Sequence, residues 1–110
     1  MTAVDAFHTT VFSVRDRVTV SAAGELDFAT LPRLRTALAA ALATRPRSVD
    51  VDLSGVSFCD CAGVNVLLWA RGQAVAEGIA FRVTGTGAPV VARLFHLLRV
   101  GHLFALDRAR

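Results

Sequence analysis

Two cysteines flank an aspartate in the run Val51-Asp52-Leu53-Ser54-Gly55-Val56-Ser57-Phe58-Cys59-Asp60-Cys61-Ala62-Gly63-Val64. Residues of these types can hold a soft metal, cycle a thiol, or place an anionic or modifiable group at a helix start. A lone Cys-x-Cys is a weak metal signal, and His8, His96 and His102 share no ligand spacing with it. Thiols two residues apart also fit a disulfide poorly. A Ser–His–Asp triad can be written from Ser57, His102 and Asp60, as it can from most chains, so it carries no weight. No Walker loop, no GxGxxG after a strand and no HExxH occurs. Position is the stronger clue. A residue opening a helix sits among free backbone N–H groups at the positive end of the helix dipole, where an anion is favoured. Asp60 and Cys61 there admit three readings: an ordinary cap, a reactive thiol or a modification site. A thiol so placed is favoured as thiolate, which makes Cys61 the more reactive of the pair and Cys59, further back, the less.

The elements around this run must position it. Val11–Val14 and Val18–Ala22 read as strands joined by a tight turn at Asp16-Arg17, and Gly24-Glu25-Leu26-Asp27 breaks the pattern. Thr30 is placed to cap a helix that tolerates Pro32 in its first turn. Leu31, Leu34, Leu38 and Leu42 recur along one side of it, and Pro46 ends it. Ser48–Leu53 reads as a strand with Val49, Val51 and Leu53 on one face and Asp50 and Asp52 on the other. Ser54–Asp60 then reads as a loop into a helix from about Cys61 to Glu77, stopped by Gly78.

On that second helix Val64, Leu67, Leu68, Ala70, Ala74 and Val75 make the core stripe. Cys61, Asn65 and Trp69 climb another face at i, i+4 and i+8. The chain's single tryptophan is therefore expected outside the core above Cys61, as an interface anchor. Packing beneath a loop is the alternative. Ile79–Val83 reads as a further strand. Pro89 opens a third helix with Val91, Leu94, Phe95 and Leu98 buried, Arg93, His96 and Arg99 wet, and Gly101 as its stop. Leu103–Leu106 reads as a last apolar strand or docking segment. The sum is one α/β domain over residues 1–110: a mixed sheet of about four to five strands with three to four packed helices. The Ser54–Asp60 segment falls at the carboxyl end of a strand, where α/β sheets place function.

Composition excludes whole classes. At 110 residues, 54% hydrophobic and 19% charged, the chain is neither disordered nor two domains. The most apolar window, Cys61–Ala76, is interrupted by Asn65, Arg71, Gly72 and Gln73, so no membrane span is expected. The start lacks the pattern of a signal peptide, and a cytoplasmic protein is expected. The net charge of +3 rests on twelve basic residues that are all arginine. They are dispersed along the chain with no interleaved aromatics, which argues against a nucleic-acid partner.

The pattern Asp52-Leu53-Ser54-Gly55-Val56-Ser57-Phe58, Asp60 and Ala62-Gly63 before an apolar helix, with Gly24-Glu25-Leu26-Asp27 and Thr30 before the first helix, resembles the STAS domain. More narrowly it resembles the anti-sigma factor antagonists, and the likeness runs along nearly the whole chain. The resemblance implies a STAS-like fold and a non-enzymatic interaction module without cofactor or metal. Its partner would be an anti-sigma factor of the serine-kinase-like type, whose capture frees a sigma factor. In that family the residue after the loop aspartate is usually a phosphorylated serine, and phosphate there adds about two negative charges to the binding surface. Here that position is Cys61. Asp27, Cys59, Asp60, Cys61, Gly63, Asn65 and Trp69 are the residues expected to meet the partner, with a turn or capping role the rival reading for Asp27. A monomer is favoured. The alternatives are a STAS accessory subunit of a transporter or larger signalling complex, and a thiol redox protein using Cys61.

Overall fold

The computed structural model describes residues 7–100 and Leu103. A four-stranded sheet is ordered as in the chain: β1 (His8–Val14), β2 (Arg17–Leu26), β3 (Ser48–Cys59) and β4 (Ala80–Thr84). β1 pairs antiparallel with β2, and β2–β3 and β3–β4 pair parallel. The two parallel connections are made by helices α1 (Leu31–Ala43) and α2 (Cys61–Ala76), and α3 (Pro89–Leu98) follows β4. This is the mixed sheet with packed helices expected from the sequence, with four strands and three helices among the described residues.

Burial follows the residue pattern. Val18, Val20 and Ala22 of β2 and Val49, Val51 and Leu53 of β3 are buried, and Leu31, Leu34, Leu38 and Ala41 of α1 pack into the same core as Val64, Leu67, Ala70 and Ala74 of α2. Alternation on the strands and helical spacing above them produce one apolar layer between sheet and helices. α1 and α2 touch each other, and α3 packs against β3 through buried Val91 and Phe95.

Several boundaries differ from expectation for identifiable reasons. The hairpin turns at Arg15-Asp16 rather than Asp16-Arg17, with Arg15 in the left-handed region at φ 56°. β2 continues through Gly24 to Leu26. The larger departure is β3, which runs on to Cys59 where a loop was expected. Ser21 lies opposite Asp52 but Ala23 opposite Gly55, and Gly24 opposite Val56 but Glu25 opposite Phe58. β3 thus carries two extra residues, and two bulges erase the period-2 signal while pairing continues. Asp52 Oδ1 accepts from the Ser54 amide at 2.9 Å at the first of them. Gly55 is there because a Cβ would lie 2.8 Å from that of Ala23.

Two expected core residues are outside: Val75 of α2 is 61% and Leu98 of α3 39% exposed. Leu98 is the last residue of a helix whose final turn is closed by Arg99 in the left-handed conformation, φ 55°. Gly101, the expected stop, lies outside the described residues, as does the segment Leu103–Leu106 apart from Leu103. The Leu103 carbonyl accepts from Arg71 Nε at 2.6 Å, so Arg71 leans off the core stripe as expected of a long cationic side chain. No helix among the described residues is long and apolar enough to cross a membrane.

Candidate functional site

β2 and β3 end side by side. Leu26 is paired with Cys59, and the Asp60 amide donates to the Leu26 carbonyl at 3.4 Å. Each strand then delivers an aspartate to the start of a helix, which brings the two sequence motifs, 33 residues apart, to one end of the sheet.

After β2 the chain winds through a tight turn before α1. Asp27 Oδ1 accepts from the amides of Ala29 (3.0 Å) and Thr30 (3.2 Å), while the Asp27 amide donates to Thr30 Oγ1 at 3.0 Å. The Thr30 hydroxyl donates back to the Glu25 carbonyl at 2.8 Å. Thr30 occupies the capping position of α1 but its side chain makes no capping bond. The turn is closed by Asp27 instead, because its short carboxylate reaches amides two and three residues on. Phe28, at the tip, is 84% exposed.

After β3 there is no intervening turn. Asp60 is extended (φ −105°, ψ −179°) and its Oδ1 accepts from the Gly63 amide at 3.1 Å, a direct N-cap. Cys61 follows as the first helical residue and is exposed, and Asn65, one turn on, is exposed beside it. Gly63 lets this end of α2 lie on the sheet: a Cβ there would come 2.7 Å from Cys59 Sγ and 3.2 Å from Leu26. Beneath it Cys59 is buried, and its thiol is pushed up to about 12, first by burial and then by the carboxylate of Asp60 and by Cys61. Cys59 is therefore a protonated packing residue, and Cys61 is the thiol presented to solvent.

Asp27, Asp60, Cys61, Gly63 and Asn65 thus share one end of the molecule, with Cys59 as floor. Trp69 does not continue that exposed face. It is half-buried against α1, with the Arg35 guanidinium 4.0 Å from its ring centre and Ala39 and Leu42 lining the same groove. An isolated helix projection puts the indole off the core stripe, but a neighbouring helix meets it there. The surface residues that sequence reasoning passed over are apolar: Phe28, Phe58 (40% exposed), and a groove of about 350 Å³ in which Cys59 meets Pro89, Val90, Arg93, Leu94 and Leu97 of α3. The signal for Phe28 was a large aromatic beside an aspartate in a turn. Among the described residues no group of three or more His, Cys, Asp or Glu side chains is placed to hold a metal ion.

The family model described as "Mlab, STAS domain" matches residues 10–106. Anti-sigma-F factor antagonist RsfB of Mycobacterium tuberculosis is 29% identical over 106 residues, which cover 96% of this chain and 85% of RsfB. The crystal structure of an anti-sigma factor antagonist from Mycobacterium paratuberculosis superposes with a TM-score of 0.87 at 30% identity, over 99% of this chain and 92% of that one. The anti-sigma factor antagonist SpoIIAA in its unphosphorylated form superposes with a TM-score of 0.75 at 20% identity, over 94% of this chain and 89% of that one, a likeness of fold alone.

Proposed function

The chain belongs to the STAS domain family, among the anti-sigma factor antagonists, and from that premise we propose that it captures an anti-sigma factor of the serine-kinase-like type and so frees a sigma factor. It acts as a monomeric binding module rather than a catalyst, and works in the cytoplasm. The contact face is the end of the sheet where the Asp27 turn, the Asp60–Gly63 helix start and exposed Asn65 meet. The observation that carries this reading is the exposed Cys61 on the first turn of α2, held by the Asp60 cap and by Gly63 seated on Cys59 and Leu26. A residue so held has little freedom, and a charge added to it would sit in the middle of that face. The resemblance to that family implies that this position is usually the phosphoacceptor serine. A thiol is no substrate for a serine kinase, so the switch by phosphorylation is absent from the wild-type chain.

The test is chemical. Incubated with a kinase-type anti-sigma factor and ATP, the wild-type chain gains no phosphate at position 61, whereas Cys61→Ser gains one by intact mass and peptide mapping. Phosphate on wild-type Cys61, or a Ser variant that binds the kinase yet stays unmodified, contradicts the reading.

A further inference from the structure

At the opposite pole of the sheet the fold gathers charges that the sequence disperses. Val14, Arg17 and Ser48 lie in one register row across β1, β2 and β3. With Arg15, Asp16 and Arg47 from the adjoining connections they line a cleft of about 490 Å³. The Asp16 carbonyl accepts from the amides of Arg47 (2.7 Å) and Ser48 (3.3 Å), which ties the hairpin turn to the α1–β3 connection. Three arginines therefore border one cleft against a single acidic residue. The ion pairs among the described residues are Arg45–Glu77 and Arg82–Asp50, and neither uses Arg15, Arg17 or Arg47.

Ser48 supplies an independent observation. It lines the cleft, it is only 9% exposed, and its Oγ has no hydrogen-bond partner. A buried hydroxyl left unpaired is costly, so an unpaired one in a cleft bordered by arginines marks a place for an acceptor.

We propose that this cleft binds a phosphate group, with Arg15, Arg17 and Arg47 closing on its oxygens and the Ser48 hydroxyl donating to one of them. A single carboxylate satisfies one guanidinium fork, whereas a phosphate offers enough oxygens and charge for several. The arginine side chains are long and exposed, so all three can turn toward one ligand. Phe12 lies two register rows away, on the same face of the sheet, and is 66% exposed, which gives an organic group joined to the phosphate an aromatic surface. The phosphate comes either from a free organic phosphate or from a lipid headgroup. All of β3, Ser48 to Cys59, separates this cleft from the anti-sigma face, so the two assignments stand or fall separately.

The full-length chain is titrated with inorganic phosphate, with adenosine monophosphate and with phosphatidylglycerol vesicles, at matched ionic strength, following backbone amide shifts. Saturable shifts confined to residues 14–17 and 47–48 are expected with at least one probe. Arg17→Gln with Arg47→Gln should weaken binding by about tenfold or more, given that charge-assisted bonds carry it. Arg93→Gln on α3 should leave it unchanged. Ser48→Ala should weaken binding without lowering the melting temperature, and this second variant keeps the test open if the double variant folds poorly. Binding of a free phosphate assigns a soluble ligand and binding of vesicles alone a headgroup; either supports the site. No response to any probe, or shifts that survive both sets of substitutions, overturns it.

Discussion

The two helix starts at the functional end solve the same problem differently. Both α1 and α2 begin where a parallel strand ends, and both use an aspartate to satisfy free amides. Asp27 does so through a wound turn that holds Phe28 out in solvent, and Asp60 does so directly, with Cys61 in the next position. The first arrangement makes a protrusion whose shape depends on Asp27 and Thr30 together. The second makes a close-packed seat whose shape depends on what lies under it, namely Gly63 on Cys59 and Leu26. A protrusion suits recognition of a partner by an apolar contact. A close-packed seat suits a position at which one small chemical change is to be felt by that partner.

The contrast can be broken most severely from beneath. Gly63→Val forces a branched side chain onto Cys59 and Leu26, and overpacking of this kind costs about 1–3 kcal/mol. Chemical denaturation should show that loss, and partner affinity should fall with it. Gly72→Ala, in open space on the same helix, should instead stabilise the protein by roughly 0.5–1 kcal/mol.

Removing the aspartates comes next. Asp60→Ala should cost about 1 kcal/mol, the usual worth of an N-cap. Asp27→Ala should cost at least as much, since it frees two amides and a hydroxyl partner. Asp27→Asn keeps the acceptor oxygen and should melt with the wild type. An Asp27→Asn chain that keeps its stability but loses affinity would show that the carboxylate charge meets the partner, beyond its role in the turn.

The effect absent at neutral pH lies in the thiols. Cys59 is held protonated up to about 12 against an ordinary value of 9.0. The unfolded chain therefore loses that proton first, and stability is complete below about pH 9 and declines as pH rises toward 12. The chain has no lysine and no tyrosine, so few other groups titrate in that window. Urea melts at pH 8 and pH 10 should show the decline, and Cys59→Ala should flatten it. Iodoacetamide should label Cys61 in the native protein and Cys59 only after unfolding.

Much of this architecture was legible because the relevant periods were intact. Val49, Val51 and Leu53 alternate, Leu31, Leu34 and Leu38 recur at helical spacing, and Asp60 stands where a cap belongs. The second half of β3 was not legible, since two bulged residues destroy alternation without ending the strand. Trp69 was misplaced for another reason. A projection around one helix tells which way a side chain leaves it, and only the packing of α1 against α2 tells that Arg35 and Leu42 are waiting there. The arginine-lined cleft was hidden in the same way, since Arg17 and Arg47 are neighbours only through the parallel pairing of β2 with β3.

The close-packed seat at Cys61 is the centre of the account, and a charge placed there tests it most directly. The affinity of Cys61→Asp for the anti-sigma factors of the same genome is compared with that of the wild type by isothermal titration, with melting curves alongside. An exposed first-turn position tolerates aspartate and the helix dipole welcomes it, so the melting temperature should hold. Affinity for the factor that the wild type binds should fall by about tenfold or more, as for charge introduced against a complementary surface. A Cys61→Asp chain that binds that factor as tightly as the wild type would contradict the account.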